Sequence, residues 1–474
     1  MTHRRFAGFA LALCMAFGCD GTSTNGDDNP DMAGVGDMGG PTEDLAPPYP
    51  AWNPQSPAIC GQTPYTWQPS AQVGSVLSDS RNLLPTYKFV IEGLKLVAFL
   101  GSQLNVHHAV NYDVHTATIR YRTQDRGQLV DATAMVSWPK STGKTFPILL
   151  FLHPTLGYTD NCAPSASKGD LTAPMTVFSI LAASAGYVAV FPDYLNMRSL
   201  GQASTTVTPY LLMEPTALVS LDAARAAQKY VKAESITASS DLYVWGHSQG
   251  AQAVEYVTAL QPVYAPEFTV KAAAAVSPPS DLSQSAKLNF GGTAPTYNLG
   301  QAIAYAWADY YDKSQVNSAL VSPWNGTALT QMKNYCVSTY TDPIKSVKDP
   351  AQVFTPTFLS ALLESKKVDP WSCWLYYNNP ATMGPSLNPK VPLLYVTGDK
   401  DTTVPPPAND PVSAKWCSQG IPIHYLQCLG ADHVGTITHS VDDVLKFFDD
   451  RQAGLPLPTD VCTPKPAKTC SSAP

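Results

Sequence analysis

Asp241-Leu-Tyr-Val-Trp-Gly246-His-Ser248-Gln-Gly250-Ala-Gln-Ala-Val-Glu-Tyr-Val-Thr-Ala-Leu260 decides the fold. Its first part is a short, nearly unbroken apolar run, the pattern of a strand buried on both faces. Its last part, Ala251 to Leu260, has the apolar spacing of a helix. Between them two glycines flank a serine. Strand, glycine-flanked turn and helix together lift a hydroxyl above the edge of a sheet and set a helix N-terminus beside it, where the dipole favours negative charge. The five-residue Gly-x-Ser-x-Gly pattern alone would arise by chance in about one chain in six of this length, given the usual abundance of glycine and serine. Its setting between a strand and a helix is what makes Ser248 a candidate nucleophile.

The surroundings fit a sheet that carries such a turn. Phe146 to Leu152, Tyr187 to Phe191, Leu242 to Trp245, Val270 to Val276 and Val391 to Val396 are further buried-strand runs, with helical patterns at Leu171 to Ser184 and Leu211 to Lys232. Alternating strand and helix predicts a mostly parallel central sheet flanked by helices. Thr116 to Arg122 and Leu129 to Trp138, joined at Asp125-Arg126-Gly127, predict an antiparallel pair before it. More than a hundred residues separate Val276 from Val391, too many for a structureless loop. We read 281–389 as an inserted, mainly helical cap, with helices near Leu299 to Tyr311 and Phe358 to Glu364. The body is then 61–280 and 390–474, the latter with a cysteine-bearing tail.

A serine hydroxyl needs a base to take its proton, and the base needs an orienting carboxylate. Both follow in the order nucleophile, acid, base. The strand Val391 to Gly398 ends in Asp399-Lys-Asp401-Thr-Thr-Val404-Pro405, whose Gly-x-x-Asp-x-x-Val-Pro spacing selects Asp401, leaving Asp399 as a turn-stabilising carboxylate. Strand Ile421 to Leu429 leads to Gly430-Ala-Asp-His433, where His433 is placed in a loop after the last strand and Asp432 beside it is a loop residue. Of nine histidines, His439 is the rival base. The oxyanion calls for two backbone N–H donors. Gln249, after the nucleophile, supplies one. The other comes from His153-Pro154-Thr155-Leu156, in which Pro154 has no N–H, so Thr155 is chosen with Leu156 as the alternative.

Composition bounds the partners. Of 474 residues, 44% are apolar and 14% charged, and the net charge of -7 comes with no long basic run, so no nucleic-acid partner is expected. Residues 1–19 read as a lipoprotein-type signal: Arg4-Arg5, the apolar run Phe6 to Phe17, then Ala16-Phe17-Gly18-Cys19, with Cys19 as the lipidation site. Residues 20–60 read as an acidic tether, barest between Asp20 and Pro48. Membrane contact is therefore expected through the lipid anchor only, with the protein outside the cytoplasm, anchored or secreted, and a monomer. Without Cys14 and Cys19 eight cysteines remain of ten, an even count that favours disulfides and lacks the CxxC pairs of a zinc site.

Thr118-Ile-Arg-Tyr121-Arg-Thr, Asp160-Asn-Cys162-Ala-Pro-Ser165, Gly186-Tyr-Val-Ala-Val-Phe-Pro-Asp193-Tyr194, Ala223-Ala-Arg-Ala-Ala227, Gly246-His-Ser-Gln-Gly250 and the Asp401 and His433 segments resemble the secretory lipase family (Candida antarctica lipase A-like) of the α/β-hydrolases. The resemblance runs from about Pro64 to Cys462. It implies an α/β-hydrolase fold with a helical cap over an acyl-binding tunnel, no metal and no cofactor, and disulfides joining Cys162 to Cys336 and Cys417 to Cys462. By elimination Cys60, Cys373, Cys428 and Cys470 pair among themselves. Pro154 and Leu195-Asn-Met-Arg198 depart from the family pattern. The function implied is a carboxylic-ester hydrolase, a lipase or esterase, acting on a small-molecule or lipid ester with an apolar acyl or aromatic group. A serine peptidase or amidase on the same fold is the alternative, and a non-catalytic binding protein the third reading.

Overall fold

Runs of apolar residues that a solvent-facing strand could not carry form the middle of one sheet. A computed structural model describes residues 49–473, except 82–84, 95–97, 100–101, 104, 294, 335, 337–342, 384–386, 389, 459–460 and 463–465. Cys19, the signal segment and the tether as far as Pro48 lie outside the described residues. The strands are β1 (Val76–Arg81), β2 (Ala98–Phe99), β3 (Ser102–Gln103), β4 (Val114–Asp125), β5 (Gln128–Pro139), β6 (Thr145–Leu152), β7 (Val188–Pro192), β8 (Thr237–His247), β9 (Thr269–Val276), β10 (Leu393–Gly398) and β11 (Ile423–Cys428). Nine of them make one sheet in the order β1-β4-β5-β7-β6-β8-β9-β10-β11, while β2 and β3 pair separately. From β7 to β11 neighbours run parallel; β1, β4, β5 and β7 pair antiparallel. The fold is the α/β-hydrolase fold that the sequence predicts.

The β4–β5 pair turns at Arg126 and Gly127, both at positive φ (46° and 72°), as a two-residue hairpin turn requires. Strand β1 was not read from the sequence. It is an edge strand, VLSDSR, with no fully buried residue, so it lacks the apolar run that marked the others.

The helices are α1 (Lys88–Leu94), α2 (Pro174–Ala185), α3 (Met213–Ala233), α4 (Gln249–Tyr264), α5 (Leu282–Phe290), α6 (Tyr297–Tyr311), α7 (Val316–Ala319), α8 (Trp324–Asn334), α9 (Pro356–Glu364), α10 (Trp371–Asn378), α11 (Asp410–Ser418), α12 (His433–His439) and α13 (Val441–Gln452). Apolar residues of α3 and α4 pack on one face of the sheet. Those of α2 and α13 pack on the other. Helices α5 to α10 all fall between β9 and β10, and they bury a third cluster built on Tyr297, Trp307, Phe354, Phe358, Trp371 and Trp374, joined by Tyr158 and Tyr210. The sequence reading placed two of these six helices. The other four are short or polar, as in Trp324–Asn334, and they pack mainly on α6 and α9 rather than on the sheet.

One boundary is corrected. Residues 49–60, read as the end of the tether, are tied to the body: the Tyr49 hydroxyl donates to Asp369, the Tyr377 hydroxyl donates to the Pro50 carbonyl at 2.7 Å, and Cys60 is bonded to Cys373. Aromatic anchors and a disulfide supply the order that local composition did not promise. The other disulfides are Cys162–Cys336, Cys417–Cys462 and Cys428–Cys470.

Candidate active site

Ser248 follows β8 directly and caps α4 with φ 56° and ψ -120°, a conformation that costs a non-glycine residue about 1–3 kcal/mol. The surroundings impose it. The Ser248 N–H donates to the Val276 carbonyl at 2.9 Å, and its carbonyl accepts from Ala251 and Gln252. Both flanking glycines are required by space. A Cβ on Gly246 would meet the Gly250 carbonyl oxygen at 2.1 Å, and one on Gly250 would meet the Leu152 carbonyl oxygen at 1.8 Å. The turn is therefore pressed against the end of β6, which also begins the His153 to Leu156 loop.

The three residues selected from the sequence converge. Ser248 Oγ lies 2.8 Å from His433 Nε2, and His433 Nδ1 lies 2.8 Å from Asp401 Oδ2. Asp401 is buried in the turn after β10, and its other oxygen accepts from the N–H groups of Thr403 (3.0 Å) and Val404 (2.8 Å). Burial alone would raise this carboxyl, but the charge of His433, the hydrogen bond from its ring and the Val404 N–H outweigh burial and hold it below the usual range. An ionised Asp401 accepts the Nδ1–H, so the Nε2 lone pair faces the serine hydroxyl. The arrangement can draw a proton from Ser248.

His433 is the first residue of α12 rather than a loop residue, and Asp432 is that helix's N-cap, accepting from the Gly435 N–H at 2.6 Å. Seven residues are too few for the apolar periodicity to register, and the Asp cap was the available signal. Asp399 accepts from Gly430 N–H at 2.6 Å, stabilising the neighbouring turn. His439 ends α12, about 9 Å along the helix axis from His433.

Gln249 opens α4 with its backbone N–H at the helix start. In the facing loop Thr155 and Leu156 are half-buried, and the Thr155 hydroxyl lies 2.8 Å from the hydroxyl of Tyr210. That tyrosine is held in turn by the Trp307 indole N–H of α6, which donates to its carbonyl at 2.9 Å. Gly157 bridges to Cys336, itself bonded to Cys162. The loop facing the nucleophile is thus fastened to the helical segment between β9 and β10. Asp193 anchors the far side of the same loop: it accepts from the Ser165 N–H (2.9 Å), the Ser165 hydroxyl and the Thr133 hydroxyl (2.5 Å), and burial pushes its carboxyl up to about 6. The sequence reading missed Tyr210 and Trp307. Nothing local distinguishes a tyrosine or tryptophan that bonds across the fold from one that only packs.

Another buried carboxyl lies on α4. Glu255 accepts from the Ser280 hydroxyl at 2.5 Å, and that hydroxyl is 2.7 Å from the Tyr395 hydroxyl. Burial pushes Glu255 well above the usual carboxyl range, outweighing the Ser280 hydrogen bond. The folded protein keeps this proton while the unfolded chain releases it above its ordinary pKa of 4.5, so the contribution of Glu255 to stability falls as pH rises through and beyond that value. Glu255→Gln does not titrate. We expect thermal melts to show it equal to the parent near pH 4 and higher-melting at pH 8; the same difference at both pH values would contradict a neutral Glu255.

Among the described residues no three His, Cys, Asp or Glu side chains converge as around a metal ion, and no helix is long and apolar enough to cross a membrane. A family model described as secretory lipase matches residues 168–459, more than half of the chain. A search of the curated proteins gave no match. Among solved structures, a Legionella pneumophila protein superposes with TM-score 0.66 at 21% identity, covering 81% of this chain and 100% of that one. The rice cell wall degrading esterase LipA of Xanthomonas oryzae, with a bound ligand, gives 0.65 at 19% identity over 81% of this chain and 99% of its own. Candida antarctica lipase A in its closed state gives 0.64 at 18% identity, covering 88% and 92%. At these identities the likeness concerns the fold.

Proposed function

The chain belongs to the secretory lipase family and is a carboxylic-ester hydrolase, and from that premise we propose that Ser248, His433 and Asp401 cleave the ester through an acyl-enzyme. Ser248 Oγ attacks the ester carbonyl as its proton passes to His433 Nε2. Asp401 keeps the imidazole in the tautomer that can accept and stabilises the imidazolium that forms. The N–H groups of Gln249 and Thr155 receive the oxyanion. Collapse breaks the C–O bond, and His433 returns the proton to the departing alcohol. Water then repeats the sequence on the acyl-serine, releasing the acid and restoring the hydroxyl. The observation that carries this reading is the continuous 2.8 Å, 2.8 Å relay from Ser248 through His433 to Asp401.

In this reading the helical segment 281–389 is a cap, and its aromatic interior suits an ester with an apolar acyl or aromatic group. Four disulfides fit a life outside the cytoplasm. Cys19 is the site proposed for lipid anchoring.

Bond specificity is tested with p-nitrophenyl esters of graded acyl length beside peptide p-nitroanilides. We expect turnover of the esters, with rate depending on chain length, and none of the anilides. Faster turnover of the anilides would favour the peptidase reading instead.

A further inference from the structure

His247 stands between the nucleophile's strand and the base, and the mechanism above leaves it without a task. It is the last residue of β8 and only 2% exposed. Its Nε2 lies 2.8 Å from the carbonyl oxygen of His433. A carbonyl can only accept, so the proton sits on Nε2. Nδ1 is then a bare lone pair, and no hydrogen-bond partner reaches it among the described residues. The two imidazoles tilt against each other with centroids 4.9 Å apart.

We propose that His247 is a positioning residue for the catalytic base: its Nε2–H ties the main chain of His433 to the strand that carries Ser248. The inference rests on the triad reading above. Asp401 orients the His433 ring about its Nδ1–H, but that bond does not fix how far the whole residue stands from Ser248. His433 follows a four-residue turn from the end of β11, and its distance to Ser248 depends on where that turn settles. A hydrogen bond from the residue next to the nucleophile sets that distance directly. The ring also suits its place electrically. Burial first, and the nearby charge of His433 second, push His247 down to about 3. It therefore stays neutral when His433 takes the serine proton, and no second cation opposes the imidazolium.

The test compares His247→Leu, which has no donor, with His247→Gln, whose amide carries its N–H at the same ε position. A displacement of about 1 Å at a reacting centre can cost on the order of 10²-fold in rate. The expected result is a kcat about ten- to a hundredfold lower in His247→Leu with KM unchanged, and recovery to within about threefold of the parent in His247→Gln. Should the leucine variant not fold, His247→Asn replaces it, since its amide is one carbon too short to reach the carbonyl, and the same loss is expected. Parent-like kcat in the leucine or asparagine variant, or an equal loss in the glutamine variant, would overturn the proposal. Ser248→Ala assayed in parallel separates the two readings: an active alanine variant overturns the triad, whereas an inactive one beside a fully active His247→Leu overturns only the role of His247.

Discussion

Ser248→Ala is expected to lower kcat for ester hydrolysis by about 10⁴- to 10⁶-fold while leaving the fold and substrate binding in place. The loss follows from removing the hydroxyl oxygen that His433 Nε2 faces at 2.8 Å. What remains is hydrolysis by unactivated water, assisted by the proposed oxyanion donors Gln249 and Thr155. The variant should fold, because the constraint at position 248 is in the backbone. Ser248 has φ 56° whichever β-carbon substituent it bears, its N–H bond to Val276 is made by the main chain, and the clashes that define the turn belong to Gly246 and Gly250. Stopped assays with a long-chain and a short-chain p-nitrophenyl ester, together with a thermal melt, check both halves. A drop in activity matched by a collapse of the melting temperature would not support the assignment.

Asp401→Asn is the second large effect, about 10⁴-fold in kcat. The change is nearly isosteric, and its amide oxygen can keep the bonds from the Thr403 and Val404 N–H groups. What changes is the proton. An amide N–H facing His433 Nδ1 donates where the carboxylate accepted, so the imidazole proton is forced onto Nε2 and points at Ser248 Oγ. The base then has no lone pair for the serine. Activity should fall without a comparable loss of stability, and the variant should fall further than Asp399→Asn, whose carboxylate serves the Gly430 turn. Equal losses in the two variants would move the acid away from Asp401.

The architecture was legible because most sheet strands are buried on both faces and so announce themselves as apolar runs. β8, β10 and β11 are the examples on which the site stands. The candidate triad was legible because each member follows one of these strands, where chain order and spacing carry information. Three kinds of feature were not. Strand β1 gains its place by pairing with β4 at the sheet edge, which leaves no mark on its own composition. The start of α12 depends on the Asp432 side chain capping seven residues. The third kind is long-range bonding. His247 was in view as the middle residue of Gly-His-Ser, yet its partner is a carbonyl 186 positions away. Tyr210 bonds to Thr155 of the loop facing the nucleophile from 55 positions away, and Trp307 bonds to Tyr210 from 97 positions away. The pairing of Cys60 with Cys373 spans 313 residues. Such contacts are consequences of the assembled fold, and no local pattern encodes them.

In the proposed reaction one serine, activated by one histidine, carries the acyl group. Labelling with a fluorophosphonate, followed by mass spectrometry of the digested protein, identifies that serine. The reagent phosphonylates a serine only where a base takes its proton, expelling fluoride. A single adduct is expected on the peptide containing Ser248, with loss of ester hydrolysis in step with its formation and no adduct in Ser248→Ala or His433→Ala. An adduct on another residue, or full ester hydrolysis in a protein quantitatively labelled at Ser248, would contradict the proposed reaction.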